Sequence, residues 1–394
     1  AHARIAAALR ESFPELAAQR PELVAQHYEE AGDLANALDF YERAGRTMVA
    51  RSNYVEGISH LRSALSALRA LSDGAGGEAA PEAGERELGL LVALGGALIA
   101  TRGYAAPEPG EVYDRAAELC RRLHDGAIAG PIFYGLAIFR TVRAELDEAV
   151  RLAREFLESA KRQSEENIQL VSTRTLGVTL TFDGQFAEAE RLLQRALDLY
   201  DPARHRDLGV AYAQDPRISS LALQSWCAFF SGRLEQADAI GRRAVEEAAE
   251  MKHLHTLAYA RGLAGVMLPQ FRGDVAGCRR GAEALLRATG RQPVPLWTGL
   301  AMALEGWAIG ANGDVDAGLR RLREGVDEFA RTGARLFLPY YRALAADVHL
   351  RAGDRIEARR LYDEAEAMMA ERPEGWFAPE LRRLSAAALI DGEG

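Results

Sequence analysis

The sequence predicts an all-α protein, a solenoid of antiparallel helix pairs, and three observations predict it. The 394 residues are 48% hydrophobic and 27% charged, which supplies a large core and argues against disorder. Ala, Arg, Glu and Leu are abundant, a composition that favours helix. Above all, a short turn signal returns at a near-constant interval between apolar-periodic stretches. That is the mark of a chain that grows by stacking one unit on the next.

The turn signal reads Ala31-Gly32-Asp33, Asp183-Gly184-Gln185, Ser231-Gly232-Arg233, Arg272-Gly273-Asp274, Asn312-Gly313-Asp314 and Ala352-Gly353-Asp354. The last four glycines are 41, 40 and 40 residues apart, and Ala144 falls on the same grid, 40 before Gly184. Glycine supplies the left-handed residue that ends one helix, and a following Asp caps the next. Seven residues before the turn stands a small residue: Ala25, Ala137, Gly177, Ser225, Gly306 or Ala346. Five residues after it stands another: Ala37, Ala149, Ala189, Ala237, Gly318 or Ala358. Small side chains here let two antiparallel helices approach closely. These offsets match the tetratricopeptide pattern, which implies a right-handed superhelix. The period near 40 exceeds the usual value of about 34, so each helix should be longer by most of a turn.

Taken in order, residues 1–72 read as N-terminal repeats, with Leu34 to Arg51 one long helix shared between hairpins, because Gly32 and Ser52 are only 20 apart. Residues 73–87 are rich in Gly, Ala and Glu and read as an exposed flexible loop. Residues 88–199 form central repeats, whose third pair is broken by the two prolines of 105–110 (AAPEPG). Within them the apolar run Leu88–Ala100 is too short to span a membrane and reads as a buried helix. Residues 200–216 (YDPARHRDLGVAYAQDP) are an insertion, and residues 217–394 carry the C-terminal repeats, giving about nine pairs in all.

The composition and motifs exclude several functions. Lys+Arg number 48 against 57 Asp+Glu, for a net charge of -9, and only Lys161 and Lys252 are lysines. An acidic chain is a poor nucleic-acid binder, and the arginine pairs on second helices read as solvated outer faces. Cys120, Cys227 and Cys278 are far apart inside helical patterns and read as buried residues of a cytoplasmic protein. No phosphate loop, HExxH or GxSxG motif occurs, and His253 and His255 lie on different faces of a helix. The expectation is therefore no enzyme activity, no cofactor and no metal site. The chain begins without an initiator Met or a signal peptide, and reads as a fragment of a longer protein.

Two places are candidates for binding. Trp226 and Trp307 both follow the small packing position by one residue, two repeats apart. With Arg174, Phe230 and Phe271 in similar phase they could line a concave aromatic-and-arginine groove, the composition of binding hot spots. Ordinary packing in the core between repeats is the competing reading. In the insertion, Asp201-Pro202 and Asp215-Pro216 bracket His205-Arg206. Asp before a Pro at the first helical position starts a helix. The alternative is an acid–base cluster of Asp201, His205, Arg206 and Asp215 that binds a ligand or an adjoining domain.

Five stretches carry a narrower resemblance: HYEEAGDLANALDFYERAG (27–45), ARSNYVEGISHLRSAL (50–65), RGYAAPE (102–108), LYDPARHR (199–206) and YAQDP (212–216). Together they resemble the C-terminal repeat region of large bacterial signalling ATPases. In those proteins a STAND/AAA-type ATPase precedes the repeats, often behind a class III adenylyl or guanylyl cyclase domain. The resemblance implies a sensor or autoinhibitory arm that binds a protein, its own upstream domains or a small effector. It implies no chemistry in this chain, since the nucleotide-binding residues of such proteins lie upstream.

Overall fold

The computed structural model describes all residues except 52, 75–80, 104, 124–128, 163–164, 213, 291, 293 and 391–394. Every described element is helical, and the chain divides into two compact units, 1–136 and 137–394.

The first unit contains α1 (His2–Ser12), α2 (Pro14–Gln19), α3 (Pro21–Glu30), α4 (Leu34–Ala50), α5 (Tyr54–Gly74), α6 (Pro81–Arg102) and α7 (Pro107–Leu123). Asp33 caps α4 by accepting from the Asn36 N–H. The expected sharing of this helix is seen, because α4 packs on both α3 and α5. Gly45 makes the second contact possible: a Cβ there would lie 2.7 Å from Leu61 Cγ. The expected loop at 73–87 is shorter than its composition suggests. Helix α5 runs through Gly74 and α6 begins at Pro81, because proline is pre-set for a first helical turn and Glu82 favours the helix N-terminus. Residues 75–80 of that loop lie outside the described residues, as does Ser52. The prolines of 105–110 likewise do not break a pair; Pro107 opens α7.

Helix α8 (Ala129–Val142) carries the boundary between the units. The second unit continues with α9 (Leu146–Lys161), α10 (Glu166–Phe182), α11 (Phe186–Leu199), two short helices α12 (Pro202–His205) and α13 (Leu208–Ala211), then α14 (Pro216–Phe230) and α15 (Leu234–Glu250). Next come α16 (Leu254–Ala260), a π-helical segment Arg261–Met267, α17 (Leu268–Phe271), α18 (Val275–Thr289), α19 (Pro295–Ala311), α20 (Val315–Arg331), α21 (Leu338–Arg351), α22 (Arg355–Glu371) and α23 (Ala378–Ile390). At each grid position the chain is left-handed: Gly184, Gly232, Gly273, Gly313 and Gly353, and also Ala144 at φ 56°. After Ala144, Gly184, Gly232, Gly273 and Gly353 the next residue donates to the carbonyl five residues back, as in Gln185 N–H to Leu180 O and Glu145 N–H to Arg140 O, both 2.9 Å. This pairing consumes carbonyls that the helix end would leave orphaned. Asp274, Asp314 and Asp354 cap the helices that follow.

The interval of 41 where its neighbours are 40 has a structural cause. Pro269 lacks an N–H and cannot continue the α ladder of its helix. The preceding seven residues widen to π geometry, with Leu268 N–H donating to Leu263 O, which inserts the extra residue. The small packing position shifts accordingly, to Gly265, eight residues before Gly273. A Cβ on Gly281 would lie 2.0 Å from Gly265 O.

The second unit also closes on itself. Arg335 N–H and Leu336 N–H, between α20 and α21, donate to Val142 O at the end of α8 at 2.9 and 3.0 Å. Residues 372–377, between α22 and α23, form a strap. Arg372 reaches Arg143 O and Glu145 Oε1, each at 3.1 Å. Trp376 N–H donates to Phe182 O at 3.2 Å, and Gly375 packs directly on the Asp183–Gly184 turn.

Candidate functional site

The strap and helices α14, α17, α19, α21 and α23 enclose a pocket of about 790 Å³ within the second unit. Its walls are aromatic because two first helices place Phe230 and Phe271 two residues before their turn glycines, Trp307 and Tyr340 join them from later helices, and the strap adds two more rings. Phe186 stacks on Phe230 with centroids 4.7 Å apart. Phe271 lies 5.5 Å from Phe230 and 5.7 Å from Trp376. Tyr340 meets Trp376 edge-on at 5.4 Å, and Phe377 follows at 5.2 Å. Offset and edge-on arrangements are the favourable ones for aromatic quadrupoles.

Polar groups are few and mostly engaged with one another. Tyr340 Oη donates to Gln270 Oε1 at 2.6 Å. Asp347 accepts from Trp307 Nε1 and Arg351 Nε, both at 2.8 Å, and the Arg351 guanidinium lies over the Trp307 ring. Arg272 pairs with Asp238, and Arg383 is bidentate on Glu380. Burial raises the Tyr340 phenol well above its ordinary range, so it stays a neutral donor.

Behind the pocket wall, Glu374 holds the strap. Its carboxylate is fully buried and accepts from Trp376 Nε1 at 3.0 Å and from the Phe337 N–H at 3.1 and 3.2 Å. Phe337 is a left-handed residue, φ 75°, at the N-terminus of α21. Burial pushes Glu374 up to about 8, against the lowering pull of the Trp376 and Phe337 donors.

The residues expected in a concave groove fall into two groups. Phe230, Phe271 and Trp307 line the pocket. Trp226 stands behind it at 0% exposure, packed on Trp376 at 5.1 Å, with its indole N–H on Leu263 O at 3.0 Å. The same carbonyl also accepts from the Leu268 N–H at the end of the π segment. Arg174 is also buried and does not reach the pocket; it donates to Ser219 Oγ at 2.8 Å and Gln214 Oε1 at 3.1 Å. The ring at 226 is inside because the strap, about 150 residues later in the chain, covers it.

In the insertion, Asp201 caps α12 through the Ala203 N–H at 2.9 Å. His205 is buried, its Nδ1 accepts from the Asp201 N–H at 2.9 Å, and Arg206 is exposed. Asp215 is buried and caps α14 through the Arg217 and Ile218 N–H groups, while Tyr200 Oη donates to its other oxygen at 2.7 Å. The Tyr200 phenol is raised by burial and then by Asp215. None of these four residues lines the aromatic pocket, and the two Asp-Pro steps act as helix starts.

Sequence reasoning missed Trp376, Phe377, Tyr340, Gln270, Asp347 and Glu374. The adjacent Trp376-Phe377 pair after Pro373-Glu374-Gly375 was the available signal, an aromatic pair placed beyond the last repeat turn. Cys120, Cys227 and Cys278 are all buried, and burial pushes the Cys227 thiol up to about 12, which leaves it inert. Among the described residues no group of three or more His, Cys, Asp and Glu is placed to hold a metal, and no helix is long and apolar enough to cross a membrane.

No protein-family model matches the sequence. An uncharacterized protein of Rhizobium meliloti (strain 1021) is 24% identical over 367 residues, which cover 92% of this chain and 35% of that protein. The chain thus spans about a third of the length of the curated relative it matches. Among solved structures, the apo form of RapI superposes with a TM-score of 0.57 at 13% identity, covering 75% of this chain and 98% of RapI. A Rap protein complexed with competence and sporulation factor gives 0.55 at 10% identity, covering 91% and 98%. At such identities the likeness is one of fold, and with the repeat turns described above it makes this chain a tetratricopeptide-like helical-repeat solenoid.

Proposed function

We propose that this chain is a non-enzymatic, protein-binding repeat module whose contact site is the aromatic pocket of the second unit. The observation that carries this reading is a large open pocket walled by Phe230, Phe271, Trp307 and Tyr340, the residue types that dominate binding hot spots. The Rap structure complexed with a factor supports the choice of a solenoid as a binding scaffold. Affinity capture followed by cross-linking tests it. A partner recovered by the wild-type chain and lost by a folded Phe230→Ala/Trp307→Ala variant is the expected result; recovery of the same partners by both removes the pocket from the account.

Within a longer protein, the module is proposed to act as the sensor or autoinhibitory arm of a signalling ATPase or nucleotide cyclase. Support comes from the length of the Rhizobium relative, of which this chain matches only a third, and from the resemblance of the insertion. The full-length protein should change its ATP turnover when residues 1–394 are removed; unchanged turnover would retire the regulatory role. A second reading, a small effector in the pocket, is favoured by the volume, which lies inside the range of about 300–1,000 Å³ typical of ligand sites. A metabolite that raises the melting temperature of the wild type but not of the pocket variant would establish it.

A further inference from the structure

The electrostatics of the pocket restrict what it can hold. Three guanidinium groups border it, and each has its own carboxylate: Arg272 with Asp238, Arg351 with Asp347, Arg383 with Glu380. Asp347 is committed twice, since it also accepts from Trp307 Nε1. A cationic ligand would enter among three arginines, although aromatic walls alone would suit a cation. An anionic ligand would meet Asp347 and Glu380 and would lose its own hydration among apolar rings. Both signs of charge are disfavoured, and eight aromatic rings remain.

The pocket also carries an uncharged hydrogen-bonding group. Gln270 lines the pocket, and its Oε1 is taken by Tyr340 Oη. Among the described residues nothing partners its Nε2, so one amide donor is available beside the rings.

We propose that the pocket takes an uncharged aromatic side chain from an extended segment of a partner protein, with the adjoining backbone carbonyl accepting from Gln270 Nε2. This rests on the protein-binding reading above and specifies the part of the partner that is gripped. The Phe186–Phe230 stack and the Phe271 and Trp376 faces hold the ring; the Gln270 amide distinguishes a peptide from a bare hydrocarbon.

The test uses the whole chain and the probe N-acetyl-para-fluorophenylalaninamide, followed by broadening of its fluorine NMR signal. Saturable broadening is expected, with displacement by N-acetyl-tryptophanamide at a concentration about ten-fold or more below that needed for the lysine or glutamate amides, as burial of a charge dictates. Gln270→Ala should weaken the amide several-fold and leave fluorobenzene, which lacks the carbonyl, unchanged. Phe230→Ala, with its helix content checked by circular dichroism, should lose both. Equal displacement by the charged amides overturns the proposal, as does equal loss of amide and fluorobenzene in Gln270→Ala. Absence of broadening from a chain that still captures its protein partner through the pocket overturns this inference alone. Absence of both kinds of binding overturns the protein-binding reading with it.

Discussion

Glu374 carries a fully buried carboxyl group held by an indole N–H and a backbone N–H, with no cation beside it among the described residues. Its folded pKa, about 8, stands above the ordinary 4.5. Between those values the native chain keeps a proton that the unfolded chain has lost. Stability therefore falls as pH rises from about 4.5 towards 8 and levels beyond, a loss on the order of a few kcal/mol. Glu374→Gln should flatten that slope in urea titrations run at several pH values; an unchanged slope would show that Glu374 is not the group responsible. The titratable group facing it is the Tyr341 phenol, itself raised by burial and then by Glu374, so it stays neutral across the window. Residue-scale features of this kind were only half legible in the sequence. Trp226 and Trp307 hold equivalent repeat positions and are both almost fully buried, at 0% and 1% exposure, yet only Trp307 borders the pocket. Repeat phase reports which way a ring faces; it does not report what later arrives to cover it.

The hairpin turns were the most legible elements, because a left-handed residue and its five-back hydrogen bond are local requirements that glycine meets without strain. What the turns touch was not legible. Gly184 and Gly232 share φ near +80°, so alanine at either costs roughly 1–2 kcal/mol of backbone strain. A Cβ on Gly232 meets nothing within 4 Å, whereas one on Gly184 would lie 2.6 Å from the carbonyl carbon of Gly375. Gly184→Ala should therefore lower the melting temperature distinctly more than Gly232→Ala, and equal shifts would mean the strap does not sit on this turn. The loop expected at 73–87 is overextended for a related reason: Ala, Glu and Gly suggest a loop by composition, while Pro81 and Glu82 open a helix. The odd interval of 41 residues was visible in the sequence, but its cause needed the backbone of Arg261–Met267.

In the whole molecule, the second unit differs from an open solenoid, in which each repeat meets only its neighbours. Its strap joins Arg372 to Glu145 and Trp376 to Phe182 across about 200 residues of chain. Arg372→Ala leaves Glu145 paired with Arg140 and Arg143, so its cost should be modest, about 0.5–1.5 kcal/mol. Amide exchange should nevertheless quicken in the Arg143–Glu145 turn, where Arg143 O would lose its partner; unaltered exchange there would argue against the closure. The repeat pattern revealed the stacking of neighbours and was silent on this joint, because hydrogen bonds from a strap to distant carbonyls leave no periodic trace.

That joint bears on how such a sequence can change over generations. Open repeat arrays lengthen and shorten by duplicating or dropping a unit, since a new unit needs only two adjacent faces. Here the strap meets the turns of α8 and α10 only if a set number of hairpins intervenes. A gained or lost hairpin would carry Trp376, Glu374 and Arg372 past their partners and dismantle the pocket wall at the same time. Homologous sequences that keep the Pro-Glu-Gly-Trp-Phe segment should therefore hold the hairpin count between Ala144 and Trp376 constant and place their insertions in helix-connecting segments such as 200–216.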